Sequence, residues 1–254
     1  MRAGIIGRAV VAVALLVGTS HPLSGQGITQ QQAEEILKEL RAIRQALERL
    51  GGPPPAARAQ APPSDQKVKL SKLGGFTLGR PDAPLTMIEF TDLQCPFCSR
   101  FTSTTFGRIK TAYIDTGLLR FISRDFPLDM HPYAERAARA SRCAGDQGRF
   151  WELRSTLVLN TPKLSPEFIL SSAEALGLDM KAFRECLDSN RYEAEVRNDR
   201  EEGAAVGVEG TPTFLLGPTQ ADGFEGVRIV GAQPFEAFDA KIKQLLGQVR
   251  PTTR

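Results

Sequence analysis

Two cysteines in the tetrapeptide Cys95-Pro96-Phe97-Cys98 stand where an apolar, strand-like run, Leu85-Thr86-Met87-Ile88-Glu89-Phe90, gives way to a helical pattern. A strand must end there, a helix must begin, and both sulfurs fall on its first turn. At that place the free N–H groups and the positive end of the helix dipole favour a thiolate. A cysteine so placed is a reactive sulfur rather than a core residue, and its chemistry is thiol–disulfide exchange. The rival reading of the spacing is half a zinc site. It lacks partners, because the whole chain holds only 4 Cys and 2 His, and His21 lies in the N-terminal leader.

That leader (residues 1–27) reads as an export signal. Arg2 and Arg8 mark a positive start, and Ala9 to Val17 is an uninterrupted apolar run too short to span a bilayer. Gly25 and Gly27 are the small residues at its end, and an uncleaved anchor is the alternative. Export means an oxidising, extracytoplasmic compartment, the bacterial periplasm or its equivalent, where disulfides persist. A net charge of +3 gives no basic surface for nucleic acid.

Residues 28–50 carry heptad spacing, with Ala33, Leu40 and Leu47 at a and Ile36, Ile43 and Leu50 at d. Leu at a with Ile at d leans towards trimers or tetramers. Leu37 and Ala46 widen the apolar face, and Glu39 and Arg44 are placed to bridge neighbouring helices. The segment is therefore expected to be an amphipathic, coiled-coil stalk for a homo-oligomer, the alternative being a helix docked on its own domain. Residues 51–66, with Pro53-Pro54-Pro55 and Pro62-Pro63, read as an extended spacer.

From Lys67 to about residue 250 the pattern is α/β. Leu85–Phe90 and Leu118–Asp125 read as parallel strands joined by a helix from Cys98 to Tyr113, with Gly117 as its stop. A helical region follows from Tyr133 to Ala205. Thr213–Leu216 and Val227–Val230 read as strands around a turn containing Asp222-Gly223, and Pro234–Leu246 as a closing helix with Phe235, Phe238, Ile242 and Leu245 on one face.

Strand–CPFC–helix, a helical insertion at about 126–208, Gly210-Thr211-Pro212-Thr213 and a final ββα unit together resemble the thioredoxin-fold superfamily. Within it they resemble the DsbA-type thiol–disulfide oxidoreductases, while the stalk resembles that of periplasmic disulfide isomerases that oligomerise through an N-terminal segment. The resemblance implies a thioredoxin fold, βαβ–insertion–ββα, over residues 67–250. Cys95 would then be the exposed nucleophile and Cys98 the resolving thiol, passing through a mixed disulfide. Pro96 suits the first helical turn, and Phe97 offers an apolar lip where strong oxidants of the family often carry histidine. Glu89, six residues before Cys95, matches a buried acid able to exchange a proton with Cys98, its alternative being a solvent-facing strand residue. Thr211-Pro212 matches the cis-proline loop, beside which an extended substrate pairs as an added strand.

Cys143 and Cys186 are expected to bridge the insertion, as related insertions often do. A second redox pair, or free thiols in a chain that is not exported, are the other readings. His131 reads as a structural residue ahead of a helix, and Phe150 with Trp151 as packing for the insertion core. The expected activity is disulfide exchange with cysteines of unfolded or misoxidised secreted proteins. It needs no cofactor beyond the Cys95–Cys98 pair, which a membrane redox partner resets. The DsbA-type topology favours an oxidase, and the trimer-leaning stalk an isomerase or reductase. A redox-inert periplasmic chaperone or binding module is the non-enzymatic alternative, against which the presence of both Cys95 and Cys98 argues.

Overall fold

The computed structural model describes residues 29–49 and 66–249, with backbone alone for 46–49. The chain divides into two compact units, Met1–Arg58 and Ala59–Arg254. The leader, the spacer up to residue 65, Leu50, and the side chains of Ala46 and Leu47 lie outside the described residues.

In the first unit α1 spans Gln30–Arg49. Its start is a reciprocal cap: Gln32 N–H donates to Thr29 Oγ1 at 3.3 Å, and Thr29 N–H to Gln32 Oε1 at 3.0 Å. Two N–H groups that the helix leaves unpaired are thereby satisfied. Ile36, Leu37, Leu40 and Ile43 form an exposed apolar stripe.

The second unit is built on a six-stranded sheet of order β1-β6-β5-β3-β4-β2. Its strands are β1 (Lys67–Leu70), β2 (Phe76–Leu78), β3 (Leu85–Thr91), β4 (Leu119–Asp125), β5 (Thr213–Pro218) and β6 (Phe224–Val230). β3 and β4 run parallel, and every other pairing is antiparallel. The helix joining β3 to β4 opens as α2 (Pro96–Phe101). It continues through a π-helical stretch Thr102–Phe106, α3 (Gly107–Ile109) and a second π stretch Lys110–Ile114. Gly117 follows with φ +76°, a left-handed conformation that a Cβ disfavours. The insertion consists of α4 (Ala134–Gly145), α5 (Phe150–Leu159), α6 (Pro166–Ala175), α7 (Met180–Asp188) and α8 (Glu193–Ala205), and α9 (Phe235–Leu246) closes the fold.

The sequence pattern gives the four inner strands but not the edge strands β1 and β2, whose short ladders end the sheet. β3 is buried along its whole length, as a central strand covered on both faces must be. Leu85 and Met87 pack with Phe101, Ile109, Phe214 and Phe238 on one face, and Ile88 and Phe90 with Leu215, Phe126 and Val208 on the other. A third cluster fills the insertion and extends to both Cys95 and Cys98. Phe150 and Trp151 depart from expectation. Phe150 stacks on Phe76 of β2 with ring centroids 3.7 Å apart, and Trp151 packs on the sheet cluster near Phe121. They join the insertion to the sheet, because α5 lies across the seam between them.

Candidate active site

Cys95 is the N-cap of α2 and Pro96 follows at its first position, where the missing N–H costs no hydrogen bond. The loop before it is organised by the buried carboxylate of Asp92. Gln94 N–H donates to Asp92 Oδ1 at 2.7 Å, Leu128 N–H to Oδ2 at 2.8 Å, and His131 Nδ1 lies 2.8 Å from the same oxygen. Gln94 Oε1 in turn accepts from Tyr133 N–H at 2.8 Å. His131 is thus a partner of the loop that presents Cys95, while its place ahead of α4 is the structural one anticipated.

The Thr211–Pro212 peptide is cis, and the Thr211 carbonyl accepts from Cys95 Sγ at 3.4 Å. This approach corrects one expectation. Cys95 is not exposed but keeps only 3% of its surface, because the Thr211 loop and Leu93 of the insertion cluster close over it. Phe97 is the exposed residue of the motif, at 60%. Cys98, one turn on, is sealed. Both cysteines are free thiols.

The two sulfurs are driven apart electrostatically. The Cys98 hydrogen bond is the main cause that lowers the Cys95 thiol to about 5, with Thr211 and the backbone N–H groups of Cys98 and Phe97 adding to it against the cost of burial. Burial raises Cys98 well above the usual thiol range, and the neighbouring Cys95 and Glu89 push the same way. At neutral pH one sulfur is an anion and the other holds a proton.

Glu89 alternates with Met87 on the CxxC side of β3 and is fully buried, which excludes its solvent-facing reading. Its Oε2 is bound by Arg154 Nη2 from α5, and Arg154 Nε donates to Ser123 Oγ at 2.9 Å. Glu89 and Ser123 are register partners on β3 and β4, so one guanidinium spans two strands. Burial raises the Glu89 carboxyl above its ordinary value, and Arg154 opposes that rise.

Five buried side-chain polar atoms lack a hydrogen-bond partner among the described residues, and three of them, Glu89 Oε1, Thr91 Oγ1 and Thr211 Oγ1, belong to this site. Cys143 and Cys186 are joined in a disulfide linking α4 to α7, with Cα atoms 5.9 Å apart. Among the described residues no cluster of three or more His, Cys, Asp or Glu is arranged to hold a metal ion.

Sequence reasoning passed over Asp92, Gln94, Thr91 and Arg154. For Arg154 a signal existed: Phe150, Leu153, Arg154, Leu157 and Val158 are spaced as one buried helix stripe, with a cation in its middle.

Residues 71–243 match the family Thioredoxin_4, described as Thioredoxin. The chain belongs to this thioredoxin family. It is a DsbA-type thioredoxin-fold protein: it superimposes on Wolbachia pipientis alpha-DsbA1 with a TM-score of 0.62 and 27% identity, over 68% of this chain and 91% of that one. The oxidised BdbD of Bacillus subtilis shares the fold at a TM-score of 0.61 and 23% identity, over 72% and 99% of the two chains. In sequence the chain is 31% identical to a Na(+)/H(+) antiporter NhaA 1 of Salinispora arenicola over 93% of its own length. It spans only 38% of that protein.

Proposed function

We propose that this chain is an exported thiol–disulfide oxidoreductase that exchanges disulfides with cysteines of secreted proteins, acting as a DsbA-like oxidase. The observation that carries this reading is the division of labour between the sulfurs: Cys95 at about 5 beside the Thr211 carbonyl, and Cys98 protonated and sealed behind it. A thiolate that stable is a good leaving group, so a Cys95–Cys98 disulfide readily passes to a substrate. In the oxidising direction a substrate thiolate attacks Cys95 Sγ, the Cys95–Cys98 bond breaks, and Cys98 leaves with the electron pair and takes up a proton. A second substrate thiolate then attacks the mixed disulfide and releases Cys95 as a thiolate. Glu89, buried beside Cys98, supplies and recovers the proton. The Thr211-Pro212 loop and exposed Phe97 form the surface that meets the peptide. No cofactor takes part, and a membrane redox partner reoxidises the pair.

A second reading, an oligomeric isomerase, draws on the exposed Ile36–Ile43 stripe of α1, which matches a second copy of the same heptad face. The antiport named for the curated relative is not carried over, since the chain spans a minor part of that protein. Among the described residues no helix is long and apolar enough to cross a membrane.

Reduction potential and ribonuclease refolding separate the readings. An oxidase refolds reduced ribonuclease from the disulfide form of the protein. An isomerase reactivates scrambled ribonuclease and loses that ability, together with its oligomeric mass, when residues 28–50 are removed. A Cys95→Ser variant that retained either activity would overturn the enzymatic assignment.

A further inference from the structure

Thr91 and Glu89 stand two residues apart on β3, so both side chains leave the sheet on the face that carries the CxxC helix. Both are buried, and each ends in an oxygen that no donor or acceptor among the described residues satisfies, Thr91 Oγ1 and Glu89 Oε1. Glu89 Oε2, by contrast, is committed to Arg154. A sealed hydroxyl without a partner is costly, because water no longer compensates it. Strands normally solve this with an apolar side chain, and β3 does so at Leu85, Met87, Ile88 and Phe90. The exception at Thr91 coincides with the one buried carboxylate oxygen of the strand that is also unpartnered. The Thr91 hydroxyl is close enough to both groups to lower the Glu89 carboxyl and the Cys98 thiol alike, and it rests without a well-aligned bond to either.

We propose that the Thr91 hydroxyl is the proton relay between Cys98 and Glu89, joining two groups that do not bond to each other directly. The inference rests on the exchange reading above and assigns a residue that the CxxC pattern does not include. When Cys98 resolves a mixed disulfide, its Sγ attacks Cys95 Sγ. The Cys95–substrate S–S bond breaks, the Cys95–Cys98 bond forms, and the substrate sulfur leaves with the electron pair. The Cys98 proton moves to Thr91 Oγ1 as Thr91 passes its own proton to Glu89 Oε1. In the oxidising direction the same atoms work in reverse: protonated Glu89 delivers through Thr91 to the departing Cys98. The ionisable groups facing Glu89 are Arg154 from α5 and Cys98 of α2, while β4 presents the Ser123 hydroxyl and β5 the Phe214 ring. Arg154 fixes one carboxylate oxygen and leaves the other to receive the proton.

The test is single-turnover resolution of a mixed disulfide between Cys95 and a cysteine peptide, followed against pH in the wild type, Thr91→Val and Thr91→Ser. Valine keeps the volume and removes the hydroxyl, and is expected to slow resolution on the order of 100-fold. It should flatten the pH profile and leave Cys95 alkylation unchanged. Serine restores both rate and profile. A valine variant that resolves at the wild-type rate with the wild-type profile overturns the relay. If valine prevents folding, the solvent isotope dependence of the wild-type step decides: curvature from two protons in flight supports the relay, and a linear dependence overturns it. A wild-type protein that forms no mixed disulfide refutes the exchange reading itself, an outcome distinct from either.

Discussion

Two buried charge clusters flank β4 and are finished differently. At the C-terminal end of the strand, Arg124 meets Asp199 at 2.6 Å and Glu202 at 2.8 Å, while Arg142 meets Asp125 at 2.6 Å and also Asp199. Asp199 further accepts from Asp125 N–H at 3.0 Å. This lattice ties α4 and α8 to the sheet, and none of its buried side-chain atoms is among the unpartnered ones. Beneath the CxxC, the Glu89–Arg154 pair leaves Glu89 Oε1 open. A cluster that only holds elements together gains by satisfying every atom. One that accepts a proton, as the relay proposed above asks of Glu89, needs an acceptor held in reserve.

The largest effect belongs to the closed lattice. Asp199→Ala takes the shared partner from two guanidiniums that cannot shed their charge, leaving Arg124 with Glu202 and Arg142 with Asp125, and should cost about 3 kcal/mol in denaturant unfolding. Exchange activity per folded molecule should stay at the wild-type level. A loss near zero would show that the lattice is not the clamp described. Arg154→Met should cost less, about 2 kcal/mol, because Glu89 can neutralise itself by binding a proton where a guanidinium cannot release one. The Glu89 carboxyl then rises further, and the pH midpoint of mixed-disulfide resolution should move upward. A downward or absent shift would break the contrast between the clusters.

A further effect is a pH dependence that neither cluster sets. Cys95 has a folded value of about 5 against about 8.5 for an unfolded thiol. Depression by folding means that the stability contributed by the thiolate is fully present above the unfolded value and is lost as pH falls through the folded one. Only the reduced form carries that thiolate. Its stability relative to the oxidised form should therefore fall between about pH 8.5 and pH 5, with thiolate absorbance titrating near the lower limit. Parallel melting curves of the two forms across that range would contradict the assignment of the low value to Cys95.

How far the sequence discloses this architecture follows from range. The strand before Cys95, the helix after it and the Gly117 stop are written in neighbouring residues, so periodicity and capping show them. Glu89 shows itself because an acid inside an apolar run is conspicuous. β1 and β2 do not, since each is a few residues long and acquires its identity only by pairing with β6 and β4. Arg154 and Asp199 sit on otherwise apolar helix stripes, with Leu153 and Leu157, and with Val196 and Gly203. That spacing says they face inward, but their partners lie on strands far away in sequence. Burial of Cys95 is of the same kind, because its cover comes from the Thr211 loop on the other side of the insertion.

Asp92 has a bearing on how such proteins diversify. One carboxylate receives the backbone of the loop that leads to Cys95 and that of Leu128, at the threshold of the insertion, and it holds His131 as well. The helical insertion is therefore no detachable cassette. Exchanging it between family members would require the recipient to supply this shared hinge pin, or the grafted helices would arrive with the sulfur out of alignment.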